Sequence, residues 1–252
     1  MSLITFWTAY LFKGSAENLL FFYIENPCTM ILFEELVATV LLIGWVVFVV
    51  TVLTRALYNR MRSRGIEHDV AVYYNRKVIH ILAGGLPAVA VPLIFKTPFL
   101  PFMMAMLLAI FTFMLHKINR VMYWFQTEDN LYEVSFCIMW GAIITLGWVV
   151  SGDLWFGAIP VLFMSVGDAV TGLVRNLIYG KRVKAWWGNL IMAAFSMSIG
   201  AALGVAGILA GGAASFLEHF EFRLIDDNVI VPLVSFMILA FAKLYAPWML
   251  SL

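Results

Sequence analysis

Residues 30–53 read MILFEELVATVLLIGWVVFVVTVL, and only Glu34 and Glu35 interrupt the apolar run. A surface helix of a soluble protein carries one apolar stripe, whereas this run is apolar on every side. Its length matches the ~20 residues that a helical bilayer crossing needs. Runs of the same kind recur at 78–95, 99–115, 131–150, 154–174 and 229–250. Across all 252 residues, 63% are hydrophobic and 12% charged, about half the charge of an ordinary soluble domain. So few charges exclude a water-soluble enzyme, a disordered chain and a disulfide scaffold. The expected fold class is all-α: a polytopic membrane helix bundle of about seven to eight spans.

Two regions read differently from the rest. Residues 1–29 hold apolar pieces too short to cross, broken by Lys13, Gly14, Glu17 and Asn18, and read as an interfacial N-terminal segment before one bundle over 30–252. Residues 185–220 are apolar and rich in Gly and Ala, with Gly200, Gly204, Gly207, Gly211 and Gly212. The stretch is long for one crossing and short for two, so a single span and a hairpin of short helices both remain open.

The net charge of +1 gives no sign of a nucleic-acid partner. Cys28 and Cys137 lie far apart without metal-ligand spacing and read as small apolar residues. Arg55, Arg60, Arg62, Arg64, Arg76 and Lys77 follow the first span; Lys117 and Arg120 follow the third; Arg175, Lys181, Arg182 and Lys184 follow the fifth. These make twelve of the sixteen cations. The positive-inside rule makes their side cytoplasmic.

Three constellations carry chemistry. Asp168 lies within a span, next to Gly167 and two turns before Arg175. A carboxylate at that depth faces a cavity, an ion path or an active site, or else pairs structurally with an Arg. The segment from Arg175 through Lys181, Arg182 and Lys184 to Gly188 and Asn189 joins forked guanidinium donors, ammonium charge and close backbone approach, a set that suits phosphate. Asp226, Asp227 and Asn228 stand at the mouth of the last span, with Glu218 one short loop earlier. They are hard oxygen donors of the type that holds Mg²⁺, or a plain helix N-cap. Arg76, Lys77 and His80 share a helical face at the start of the second run, as interfacial partners or as phosphate and proton-relay groups.

The ordered set Arg76-Lys77-x-x-His80, Gly167-Asp168 with its basic continuation, and Glu218 followed by Asp226-Asp227-Asn228-x-x-x-Pro232 resembles the CTP-dependent lipid kinases. These include dolichol kinase, phytol kinase and the CTP-using diacylglycerol kinase, which are related to phosphatidate cytidylyltransferases. The resemblance covers roughly residues 75–232. It implies transfer of the γ-phosphate of CTP to the hydroxyl of an isoprenoid or other membrane alcohol, with Mg²⁺, at the cytoplasmic face. By the resemblance Asp168 looks like the family's nucleotide- or metal-site Asp, and Lys184 and Gly188 like residues of its CTP segment. The chemistry of phosphoryl transfer itself leads us to expect catalytic roles for Asp168, Asp227 and His80, with a carboxylate or His80 as the base. Arg76, Lys77, Arg175, Lys181, Arg182, Lys184, Gly188 and Asn189 are then expected on the nucleotide. Asp168, Glu218, Asp226, Asp227 and Asn228 are expected on the metal.

The alternatives are a CTP:lipid-phosphate cytidylyltransferase and, more remotely, a small transporter using Asp168, Glu133 and Lys243 as relay charges. A chain that is one module fits the plasma membrane of a prokaryote better than an endoplasmic reticulum enzyme. A shared site makes one demand on topology. Residues 185–220 must turn back near Gly204–Gly207, or the Asp226 group would lie across the bilayer from Asp168.

Overall fold

The computed structural model describes residues 27–179, 186–220 and 226–250. The chain divides into two units, 1–41 and 42–252. Of the first, the described part is the beginning of helix α1 (Pro27–Val47), in which Thr39 Oγ1 donates to Glu35 O at 2.6 Å. The expected interfacial segment 1–29 lies almost wholly outside the described residues.

Every regular element described in the second unit is a helix, and no strand occurs among the described residues. A π-helical segment, Phe48–Leu53, joins α1 to α2 (Thr54–Ser63) without a break. In the second unit the helix runs on to Ser63, ten residues past the end of the apolar run at Leu53. Hydropathy alone had ended this span at 53, where the apolar run stops and the arginines begin.

A second helix pair repeats the device: α3 (His68–Ile79), a π-helical segment (His80–Gly85) and α4 (Leu86–Ile94). Next come α5 (Phe99–Lys117) and α6 (Tyr132–Ser151). Helix α7 (Trp155–Leu162) runs through a third π-helical segment, Phe163–Gly167, into α8 (Asp168–Tyr179). Then follow α9 (Trp186–Gly200), a 3₁₀ turn (Ala201–Leu203), α10 (Gly204–Glu218) and α11 (Asp227–Tyr245). Seven of the continuous helical stretches are long and apolar enough to cross a membrane. The protein is therefore an all-α, multi-pass integral membrane helix bundle.

One of those seven, Trp186–Glu218, is folded back on itself. A Cβ added to Gly207 would overlap the Gly200 carbonyl, and one added to Gly211 would lie 2.5 Å from the Ser196 backbone. Ser215 Oγ donates to Asn189 O. As residue number rises along α10, its partner's number falls along α9, so the two helices are antiparallel. Only glycines permit this approach of backbones. The expected hairpin is present, and its turn falls at 201–204, just ahead of the predicted position. Gly204 takes φ +69° there, which a side chain would oppose. Gly207 serves the close crossing rather than the turn. Each arm has 15 residues, about 22 Å of helix, so the hairpin is shorter than a full crossing. The 3₁₀ segment Pro247–Leu250 covers its tip, since a Cβ on Gly204 would meet Met249 O at 2.6 Å.

Tryptophans donate to carbonyls of the first two π-helical segments. Trp124 Nε1 donates to Val50 O at 2.9 Å, Trp45 Nε1 to Leu82 O at 2.8 Å and Trp140 Nε1 to Gly84 O at 3.0 Å. The second and third π segments pack together through Gly84 and Gly85, which lie against Ser165 and Val166. His80 begins one of them and Asp168 directly follows the other. Irregular helix thus brings these two side chains face to face.

Candidate functional site: a polar layer at one end of the helices

Asp168 is the first residue of α8, and its largely buried side chain lies between Lys77 and His80. Lys77 Nζ donates to Oδ2 at 2.7 Å, and His80 Nδ1 lies 3.3 Å from the same oxygen. The imidazole stacks on Phe136 with ring centroids 4.4 Å apart. Lys77 reaches Asp168 by passing Gly172, where a Cβ would lie 2.6 Å from Lys77 Cε and closer still to the Tyr73 hydroxyl. An ion pair this deep persists because each partner would be costly to bury alone.

Arg76, one residue before Lys77, turns the other way along the layer. Its guanidinium stands over the Tyr132 ring at 4.6 Å and interacts electrostatically with Glu133, Asp226 and Asp168. Glu133 Oε1 accepts from Gln126 Nε2 at 2.6 Å and pairs with His116 Nε2. Asp226 is the N-cap of α11. Its Oδ1 accepts from Asn228 N at 3.3 Å, and its Oδ2 from Ser135 Oγ at 2.6 Å and Asn228 Nδ2 at 2.8 Å. Asn228 Nδ2 also donates to Tyr132 O at 3.1 Å. The cap reading of this group is thus realised, and its side chains are tied to the start of α6. Asp227 is the first residue of α11 and also has an interaction partner.

Arg175, Glu218 and Asn189 form a second cluster two turns further along α8. Arg175 Nη1 and Nη2 each lie 2.9 Å from a separate Glu218 oxygen, and Nη2 donates to Asn189 Oδ1 at 2.6 Å. Asn189 Nδ2 bridges Ser215 O at 2.7 Å and Glu218 Oε2 at 2.9 Å. Arg175 is 6% exposed and Glu218 3%. Arg175 was expected on the triphosphate and Glu218 on the metal; instead they hold each other in a forked pair that locks α8 to both arms of the hairpin. Gly188 serves this pair, because a Cβ there would lie 2.6 Å from Arg175 Nε.

The three sequence constellations therefore meet at one end of the helices. Lys181, Arg182 and Lys184 lie outside the described residues. Residues that sequence reasoning passed over include Tyr73, His116, Gln126, Tyr132, Ser135 and Phe136. The sequence did signal one of these contacts: Glu133 lies within two residues of Ser135 at the mouth of a span.

The expected Mg²⁺ ligands do not form a preformed cage. Both Glu218 oxygens are engaged, Asp226 is spent on its cap, and no cluster of three or more His, Cys, Asp or Glu suited to a metal occurs among the described residues. A divalent cation held by one or two carboxylates and substrate phosphates needs no such cage. Comparison of the chain with protein-family models, curated proteins and solved structures finds no match.

Proposed function

We propose that the protein is a CTP-dependent lipid kinase that phosphorylates the hydroxyl of an isoprenoid alcohol of the dolichol or polyprenol type at the cytoplasmic membrane face. The observation that carries this reading is the convergence of Asp168, the Arg76–Lys77 pair and the Asp226 group at one end of the bundle, which the hairpin over 186–218 makes possible.

Phosphoryl transfer asks little covalent chemistry of a protein; it asks for cations on the phosphates and a placed acceptor. Arg76 and Lys77, with Lys181, Arg182 and Lys184 from the segment after α8, neutralise the triphosphate. The lipid hydroxyl approaches from the bilayer side. Its oxygen bonds to the γ-phosphorus, the bond to the β,γ-bridging oxygen breaks, and CDP leaves with that electron pair. The hydroxyl proton passes to the Asp168–His80 pair. Arg175, Glu218 and Asn189 act as the brace that holds α8 in place. The excess of cations on loops of one parity puts this end in the cytoplasm, and the plasma membrane of a prokaryote is the favoured setting.

A transporter would string its charges through the depth of the membrane. Here Glu133 pairs with His116 inside the same polar layer, and Lys243 is exposed on α11. The nearer alternative is a cytidylyltransferase, which attacks the α-phosphate of CTP. Product analysis separates the two. CDP with a phosphorylated alcohol supports the kinase, and pyrophosphate with a CDP-lipid overturns it.

A further inference from the structure

A cavity of about 320 Å³ opens where α5 ends and α6 begins, apart from the Asp168 cluster. Its lining holds basic and acidic groups: His116 and Lys117 from the last turn of α5, and Glu128 and Asp129 from the loop that follows. Phe113 and Leu131, both exposed apolar residues, line it as well, beside Asn119, Val121 and Asn130. His116 is held by Glu133, so its ring is fixed. Lys117 stands over the Phe113 ring at 5.5 Å. Among the described residues no ion pair joins Lys117 to Glu128 or Asp129. Charges of both signs therefore face one cavity without neutralising each other across it.

A ligand that satisfies both kinds of group carries an anion and an ammonium within one headgroup. The apolar side chains beside them, at the end of a spanning helix, match the place where a phospholipid headgroup passes into its acyl chains. A primary ammonium can donate hydrogen bonds to Glu128 and Asp129, whereas a trimethylammonium has no N–H to donate. We propose that this cavity binds the headgroup of an aminophospholipid of the phosphatidylethanolamine type. Its phosphate lies toward Lys117 and His116, its ammonium toward Glu128 and Asp129, and its chains along Phe113 and Leu131. The site adjoins the polar layer through His116, which pairs with Glu133, but the proposal does not depend on the kinase reading.

The test is lipid retention by the delipidated full-length protein in detergent, read by native mass spectrometry and by thermal stabilisation. The added probes are dioleoyl phosphatidylethanolamine, phosphatidylcholine, phosphatidylglycerol and water-soluble glycerophosphoethanolamine. The expected result is about tenfold tighter binding of the ethanolamine lipid than of the choline lipid, the size of one charged hydrogen bond. The Glu128→Gln/Asp129→Asn double variant, altered only at exposed residues, loses that preference. Lys117→Gln weakens phosphatidylethanolamine and phosphatidylglycerol alike. Equal retention of the ethanolamine and choline lipids, or a preference that survives in the double variant, would overturn the site. Soluble glycerophosphoethanolamine binding as tightly as the lipid would overturn its assignment to a membrane ligand. Loss of kinase activity in the Asp168→Asn protein leaves these readings unchanged, so the two proposals fail separately.

Discussion

Removing the Glu218 carboxylate alone should be among the most damaging single changes in the bundle. Glu218→Ala deletes both acceptors of the Arg175 fork and one acceptor of Asn189, each at 2.9 Å. The guanidinium keeps Asn189 Oδ1 as an acceptor but is 6% exposed, so water cannot replace the lost carboxylate. Breaking a buried pair on one side in this way costs about 3–5 kcal/mol. Removing both charges has a different effect. Arg175→Met/Glu218→Leu removes both charges of the pair together, Asn189 keeps Ser215 O and His219 as partners, and most of the loss is recovered. Arg175→Met alone leaves a buried carboxylate and behaves like Glu218→Ala. The assay is reversible unfolding along an SDS titration in mixed micelles, followed by circular dichroism, on the parent, both single variants and the double. If Arg175 acts only as the brace proposed above, the double variant should keep the proposed phosphoryl transfer. A Glu218→Ala loss below about 1 kcal/mol, or a double variant no more stable than the singles, would refute this reasoning.

Other perturbations have equally definite outcomes. Gly188→Ala forces Arg175 Nε away from a Cβ at 2.6 Å and should lower stability by about 1–3 kcal/mol in the same titration. Trp140→Phe keeps an aromatic ring but removes the donor to Gly84 O, and loss of that buried hydrogen bond should cost about 0.5–1.5 kcal/mol in thermal unfolding. Gly172→Ala displaces Tyr73 and Lys77, and should cut turnover strongly while far-UV circular dichroism still reports a helical protein. Single cysteines at Asp226 and Arg62 should label from the same side of sealed vesicles with a membrane-impermeant maleimide. Labelling from opposite sides would separate the Asp226 group from the basic face.

The spans were readable because lipid leaves the sequence little choice: each crossing must be a helix that meets its own backbone hydrogen bonds. What hydropathy missed was where helices continue past the apolar layer. The first runs on to Ser63 and the second begins at His68 rather than at 78, in both cases through polar residues. The hairpin could be posed as a requirement of a shared site, yet its turn was misplaced by a few residues. Gly200, Gly204 and Gly207 look alike in the sequence, although two make a crossing and one makes the turn.

The site was legible as a set of residues and much less so as a set of pairings. Lys77 and His80 meet Asp168 across 91 and 88 positions, and Arg175 meets Glu218 across 43. No local pattern states which helices pack together. The π segments are also hidden, because one extra residue per turn barely alters an apolar run. Their only sequence traces are the glycines Gly84, Gly85 and Gly167. The same ambiguity let Arg175 and Glu218 read as ligands of phosphate and metal, when each is the other's partner.

The most direct measurement of the proposed activity is label transfer from γ-labelled CTP and Mg²⁺ to a panel of lipid alcohols, using the purified protein and an Asp168→Asn variant shown to be folded. The kinase reading predicts label on at least one isoprenoid alcohol with the parent protein and its loss in the variant, where the partner of Lys77 and His80 no longer carries a charge. No label on any alcohol, or transfer that Asp168→Asn leaves unchanged, would contradict it.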